Sequence, residues 1–301
     1  MRPALRIGAF LALAACGTAL VVMLQRAQVQ PPLESTFTSA FQILGAPVKL
    51  VDRAATRVLP VGELDEKALG DVYRLSYDPQ ATPPSREQRY LDSLMTELVP
   101  FTGKPFPYRA YVVDYPTPNA MALPGGVILV TRELLTTLQS ESELVAVLAH
   151  EIGHIERGHC FDTVRFELLA RKVGAEPLGA LADLAAQLLL RHSYSKTMEH
   201  EADAYAFELM TNGRYDPRGV AGGFRSLQAY VAGHGEDTPR HASPIRDYFT
   251  SHPPLEVRAA EFGQRADVWW TRHPGERRYV GRRNLAALLS LSRRELPDEW
   301  S

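Results

Sequence analysis

Cysteine is nearly missing from this 301-residue chain: the two present are Cys16 and Cys160. One lies in an apolar leader and the other past residue 150, so a disulfide-stapled fold is excluded. An excess of one charge sign is missing as well. Lys and Arg number 33 against 35 Asp and Glu, the formal net charge is −2, and no basic block is interleaved with aromatics. Nucleic acid is therefore not an expected partner. Internal repeats and low-complexity tracts do not occur. Long apolar runs are scarce. Residues 7–24 carry no charge and approach the ~20 residues that a bilayer span needs, whereas the apolar stretch 178–190 contains Asp183 and is too short to span. A multi-span membrane architecture is thereby excluded. What remains is 45% apolar with balanced charge, enough to bury a sizeable core.

The apolar leader is flanked by Arg2 and Arg6 on one side and by Gln25 and Arg26 on the other, the pattern of an export signal whose positive end stays inside. It places the body of the protein outside the cytoplasm, in a bacterial cell envelope facing the periplasm. Three forms are open: an uncleaved anchor helix, a lipoprotein cut at Leu13-Ala14-Ala15-Cys16 and lipidated on Cys16, or a cleaved soluble protein. The apolar character of residues 18–24 favours the anchor, and in either attached form the membrane is a partner through residues 1–26. Residues 27–86 read as a proline-containing tether with short helices, broken at Pro31, Pro32, Pro47, Pro60, Pro79, Pro83 and Pro84. A globular domain is expected over 87–263. A helical period appears at Tyr90, Leu91, Leu94, Met95 and Leu98, and β-rich segments at 108–114 and 127–131. The apolar stretch 178–190 reads as a core or lid helix, and residues 233–247 as a mobile loop over the cleft. Residues 264–301, with Trp269-Trp270 and an amphipathic pattern over 284–291, read as a C-terminal packing segment.

The chemistry is concentrated in one predicted helix. Ser140 and Glu143 form a capping box, an apolar helical run follows, and it carries His150-Glu151-Ile152-Gly153-His154. Positions i and i+4 project from one face a turn apart, so both imidazoles can reach a single ion at the ~2.0 Å of a Zn–N bond. Glu151 points about a quarter turn away, placed to act as a base rather than as a ligand. A metzincin is rejected, because it needs a histidine six residues after the second one and His159 is five away. A third ligand has to come from elsewhere. Ser195 opens a second helical pattern that ends at Asn212-Gly213, and within it Glu199 and Asp203 share a face. One of these carboxylates can bind zinc while the other fixes a histidine tautomer; the competing reading is a solvated acidic face.

His150-Glu151-Ile152-Gly153-His154, then Glu199 and Asp203, then Tyr215-Asp216-Pro217, and finally Ser251-His252-Pro253-Pro254 with Arg258 resemble, in order and spacing, the M48 family of zinc metallopeptidases. Ser195-Lys196 departs from the Ser-Arg common in that family. The resemblance covers roughly residues 88–263. The fold it implies is α+β and mainly helical, a zincin-like (gluzincin) domain with a small edge-exposed β-sheet. It implies one Zn²⁺ per chain on His150, His154 and Glu199, with Glu151 as the general base and Asp203 orienting a ligand. His252 would stabilise the oxyanion or, alternatively, fill the open position and keep the enzyme latent. Arg258 would brace the glutamate helix. The segment Asn119, Ala120, Met121 and Ala122 would pair with an extended substrate. Polypeptide substrates are implied, unfolded or misassembled envelope proteins above all. The competing function is a zinc-stabilised chaperone or assembly factor that binds clients without cutting them.

Overall fold

The computed structural model describes residues 62–78, 83–165, 177–191, 194–234 and 255–301, all within the unit Leu59–Ser301. The leader with Cys16, residues 235–247 of the expected loop, and His252 lie outside the described residues.

Helix α1 (Glu63–Tyr77) lies inside the segment read as a tether, and it buries Leu69 and Tyr73 in the core. Helix α2 (Arg86–Leu98) starts where the Ser85 hydroxyl accepts from the Gln88 N–H at 3.1 Å, and Pro100 follows its end. Its buried face is Tyr90, Leu91, Leu94, Met95 and Leu98, the residues the helical period selects. Strands β1 (Arg109–Val113), β2 (Ala120–Leu123) and β3 (Val127–Thr131) form a sheet in the order β1-β3-β2, with β1 parallel and β2 antiparallel to β3. The β2–β3 turn uses Gly125 and Gly126 at φ +81° and +90°. Gly125 also lies against α1, where a Cβ would stand 2.5 Å from the Glu66 carbonyl oxygen.

After the short helix α3 (Arg132–Thr137) comes α4 (Glu141–Glu156), which carries the histidine motif. It buries 14 of its 16 residues, so it is a central helix with no solvent face to speak of. Leu144, Leu148 and Ile152 are wholly buried, worth ~1.5–3 kcal/mol each. The Ser140 hydroxyl accepts from the Glu143 N–H at 3.3 Å, while the Glu143 carboxylate reaches back to the Gln139 N–H at 2.8 Å, one residue earlier than a capping box predicts. Gly158, at φ +77°, turns the chain after α4, and residues 159–165 begin another helix.

Helices α5 (Leu178–Arg191), α6 (Lys196–Asn212), α7 (Arg218–His234), α8 (Leu255–Arg272) and α9 (Arg282–Ala287) complete the layer. α6 and α7 pack on α4, α8 packs on α7, and α5 packs on α1. No helix among the described residues is long and apolar enough to cross a membrane. The amphipathic pattern over 284–291 is only partly helical. Leu288 turns to φ 46°, and the Asn284 amide donates to the Leu289 and Arg294 carbonyls at 2.7 and 2.8 Å, which holds the chain in a turn. This C-terminal segment closes the start of α4. The Glu141 and Ser142 N–H groups, orphans of a helix N-terminus, donate to the Gly281 and Val280 carbonyls at 3.0 Å each.

Candidate metal centre

Two helices meet at the centre because one of them lacks a side chain at the crossing. Gly153 on α4 faces α6, where a Cβ would stand 3.1 Å from the Ala202 Cα, the Ala202 carbonyl oxygen and the Tyr205 Cβ. This approach brings the Glu199 carboxylate to the two imidazoles. The His150 and His154 Nε2 atoms are 3.1 Å apart, with Glu199 Oε1 at 3.5 Å from the second and Glu199 Oε2 at 3.8 Å from the first. One donor atom from each residue lies within 4.8 Å of the others, and all three residues are buried. Donors bound tetrahedrally at ~2.0–2.2 Å from an ion stand roughly 3.3–3.5 Å apart, so the residues present fit a zinc ion.

Asp203 and Arg258 surround these donors. The Asp203 Oδ1 lies 2.8 Å from the His150 Nδ1, which leaves the Nε2 lone pair facing the donor cluster. Arg258 from α8 forks onto Asp203 through Nε and Nη2 at 2.7 and 2.6 Å, and its Nη1 lies 2.8 Å from Glu199 Oε2. Burial works against charge on Asp203, but its bonds to His150 and Arg258 outweigh that and hold the carboxyl below the usual Asp value. Burial likewise opposes the imidazolium of His150, and the Asp203 bond and charge reverse the balance and raise its pKa. The His154 ring stacks on Tyr194, with centroids 4.0 Å apart and planes at 24°.

Glu151 sits between the histidines and the sheet. Its Oε2 accepts from the Ala122 N–H at 2.8 Å, and its buried Oε1 has no hydrogen-bond partner among the described residues. The β2–β3 register explains why that N–H is available. The Thr131 N–H donates to the Asn119 carbonyl at 2.9 Å, and alternation along the antiparallel ladder then turns the polar groups of Ala120 and Ala122 away from β3. Asn119 itself donates its N–H to the Thr131 hydroxyl at 2.8 Å and so closes the strand pair. Ala120 and Ala122 are buried and Met121 is half-buried, with α4 lying against the strand.

The structure thus gathers His150, His154, Glu199, Asp203 and Arg258 into one cluster, and Glu151, next to His150 in the chain, ties residues 119–122 to the same helix. Three features escape a reading of the motifs. Glu141 at the head of α4 accepts from the Tyr90 and Tyr215 hydroxyls at 2.8 and 3.0 Å and from the Leu291 N–H at 2.8 Å. Burial pushes its carboxyl up to about 7. The Ala122–Glu151 bond is the second, and the third is His159, which lies against His154. No sequence signal marks the first two. The glycine ahead of His159 marks the third.

The profile of peptidase family M48 matches residues 85–266. Among curated proteins, the mitochondrial metalloendopeptidase OMA1 of Arabidopsis thaliana is 29% identical over 161 residues, covering 52% of this chain and 31% of the relative. Metalloprotease YcaL of Escherichia coli is 26% identical over 176 residues, covering 54% and 63%. The beta-barrel assembly-enhancing protease of Yersinia pestis is 26% identical over 227 residues, covering 67% and 44%. The chain spans less than two thirds of the length of each of these relatives.

Proposed function

The chain belongs to peptidase family M48, and on that premise we propose that it is a zinc-dependent endopeptidase with His150, His154 and Glu199 as ligands and Glu151 as general base. One observation carries the reading: two imidazoles and a carboxylate from two helices converge in a buried cluster, and the residue next to His150 is a buried glutamate held by the Ala122 N–H. A zinc ion held there supplies Lewis acidity, drawing charge from the scissile carbonyl and lowering the pKa of water toward ~7.

The chain's own groups do the rest. Glu151 takes the proton of the attacking water and later delivers it to the leaving amine, a role worth roughly 10²–10⁴-fold in rate. The Ala122 N–H fixes one of its oxygens and leaves Oε1 for the proton. Asp203 orients His150, and Arg258 offsets the charge of Asp203 and Glu199 and braces α6. An extended polypeptide pairs with β2 over residues 119–122, through the backbone groups of Ala120 and the Ala122 carbonyl, which β3 and Glu151 do not use, and this suits unfolded or misassembled substrates. His252 is assigned to the oxyanion, or to latency by filling the open position.

Envelope proteins are the proposed substrate class, and the periplasmic face of a membrane the proposed location. The charge-free run 7–24 and the likeness to a protease named for beta-barrel assembly support both. A non-cleaving chaperone has no use for a buried glutamate next in the chain to His150 that keeps one carboxylate oxygen without a partner among the described residues. The test is digestion of unfolded casein by the full chain, with and without a chelator and beside Glu151→Gln. Cleavage by the untreated protein alone supports the proposal; equal cleavage in all three samples removes it.

A further inference from the structure

Two histidines in the candidate centre are held by the same helix in different ways. His150 meets Asp203 directly, at 2.8 Å. His154 has its Nδ1 3.1 Å from the Nδ1 of His159, whose Nε2 lies 2.9 Å from Glu201 Oε2. His159 is buried, whereas the Glu201 carboxylate is half exposed. Asp203 and Glu201 both belong to α6, two residues apart and therefore on different faces of it.

We propose that His159 is a positioning residue for the metal centre, an imidazole relay that fixes the tautomer of His154 and carries its orientation out to Glu201. The inference rests on the zinc-ligand reading above.

Proton bookkeeping leaves one arrangement. A neutral imidazole carries a single N–H, so a His154 whose Nε2 faces the metal donors must carry its proton on Nδ1. His159 Nδ1 must then be the acceptor, which puts the His159 proton on Nε2. That N–H has a carboxylate oxygen to receive it, and the chain ends there without conflict. Were His154 the other tautomer while His159 donates from Nε2 to Glu201, two lone pairs would face each other at 3.1 Å in a buried site. Ligating histidines ordinarily donate their second nitrogen to a carboxylate, carbonyl or water; here a second imidazole stands between.

The relay exists because α4 stops. In a continuous helix a residue five positions on points about 140° away. Gly158, at φ +77°, breaks the helix and returns the chain, so residue 159 comes back against residue 154. The stacked Tyr194 ring flanks His154 on α6's side of the chain and leaves in-plane orientation to the relay.

The test is zinc affinity of the full chain, measured by competition with a chromophoric chelator, together with nitrogen NMR of the imidazoles. His159→Ala is expected to weaken zinc binding about 10–100-fold and to remove the signature of a protonated His154 Nδ1. His159→Gln, which can accept and donate in the same sense, is expected to recover most of that loss. Glu201→Ala changes a half-exposed residue and is expected to weaken binding less, with no further loss when added to His159→Ala. Unchanged affinity in His159→Ala, or equal losses with Ala and Gln, would overturn the relay. His154→Ala is the control: full zinc retention there would instead sink the ligand assignment on which the relay rests.

Discussion

Gly153 and Ala202 touch so closely that a single added carbon at Gly153 would stand 3.1 Å from the Ala202 backbone. The two helices that carry the candidate ligands are adjacent for this reason, and the spacing of all three donor atoms depends on it. Gly153→Val adds three carbons against backbone that cannot move aside. Overpacking of this kind costs about 1–3 kcal/mol, and here it also pushes Glu199 from the histidines. Lower thermal stability together with lost zinc is the expected result, read by calorimetry and metal analysis. A variant that keeps its zinc would show that the contact does not set the site.

Glu151 has a chemical role that can be separated from metal binding. Glu151→Gln keeps the size of the side chain and its bond from Ala122, yet it cannot take a proton. Zinc content should remain at the native level while casein hydrolysis falls by roughly 10²–10⁴-fold. Native turnover in this variant would move the base elsewhere.

Arg258 stands between two buried carboxylates, Glu199 and Asp203, which are 2% and 1% exposed. Arg258→Met would leave both without their guanidinium, and breaking a buried pair in this way costs about 3–5 kcal/mol. Added zinc should restore part of the lost stability, because it offsets the charge on Glu199. Urea unfolding with and without zinc checks both statements, and a variant as stable as the native chain would contradict them.

Stability should also carry a pH signature from Glu141. Its folded carboxyl is raised to about 7 from an ordinary 4.5. Between those values the folded state binds the proton and the unfolded chain does not, so this group's contribution falls as pH rises through that window, by up to about 3 kcal/mol. The comparison is unfolding at pH 5 and pH 7.5, native against Glu141→Gln, at fixed zinc. The native protein should lose more stability on going up in pH; identical slopes would remove Glu141 as the cause.

Local periodicity and capping made much of the architecture readable before any coordinates. The pair His150 and His154 follows from helical spacing, and Ser195 with Asn212-Gly213 bounds the helix of Glu199 and Asp203 as expected. The strand at 127–131 is observed over the residues expected, and the one expected at 108–114 is shorter by a residue at each end. What could not be read joins residues far apart in sequence. Glu141 gathers Tyr90, Tyr215 and Leu291 through tertiary packing, which leaves no periodic trace. His159 was legible as five residues from His154, but its return to that ring depends on the positive φ of Gly158. Helix α1 lies where short helices in a tether are expected; the prolines on both sides of it hide its length and its place in the core, although its own 15 residues contain none.

The most direct measurement is the zinc content of the purified full chain and of His150→Ala, His154→Ala and Glu199→Ala, by elemental analysis on folded protein. One zinc per native chain and strong loss in each variant are expected. Full zinc retention in any of the three would rule out His150, His154 and Glu199 as the ligand set.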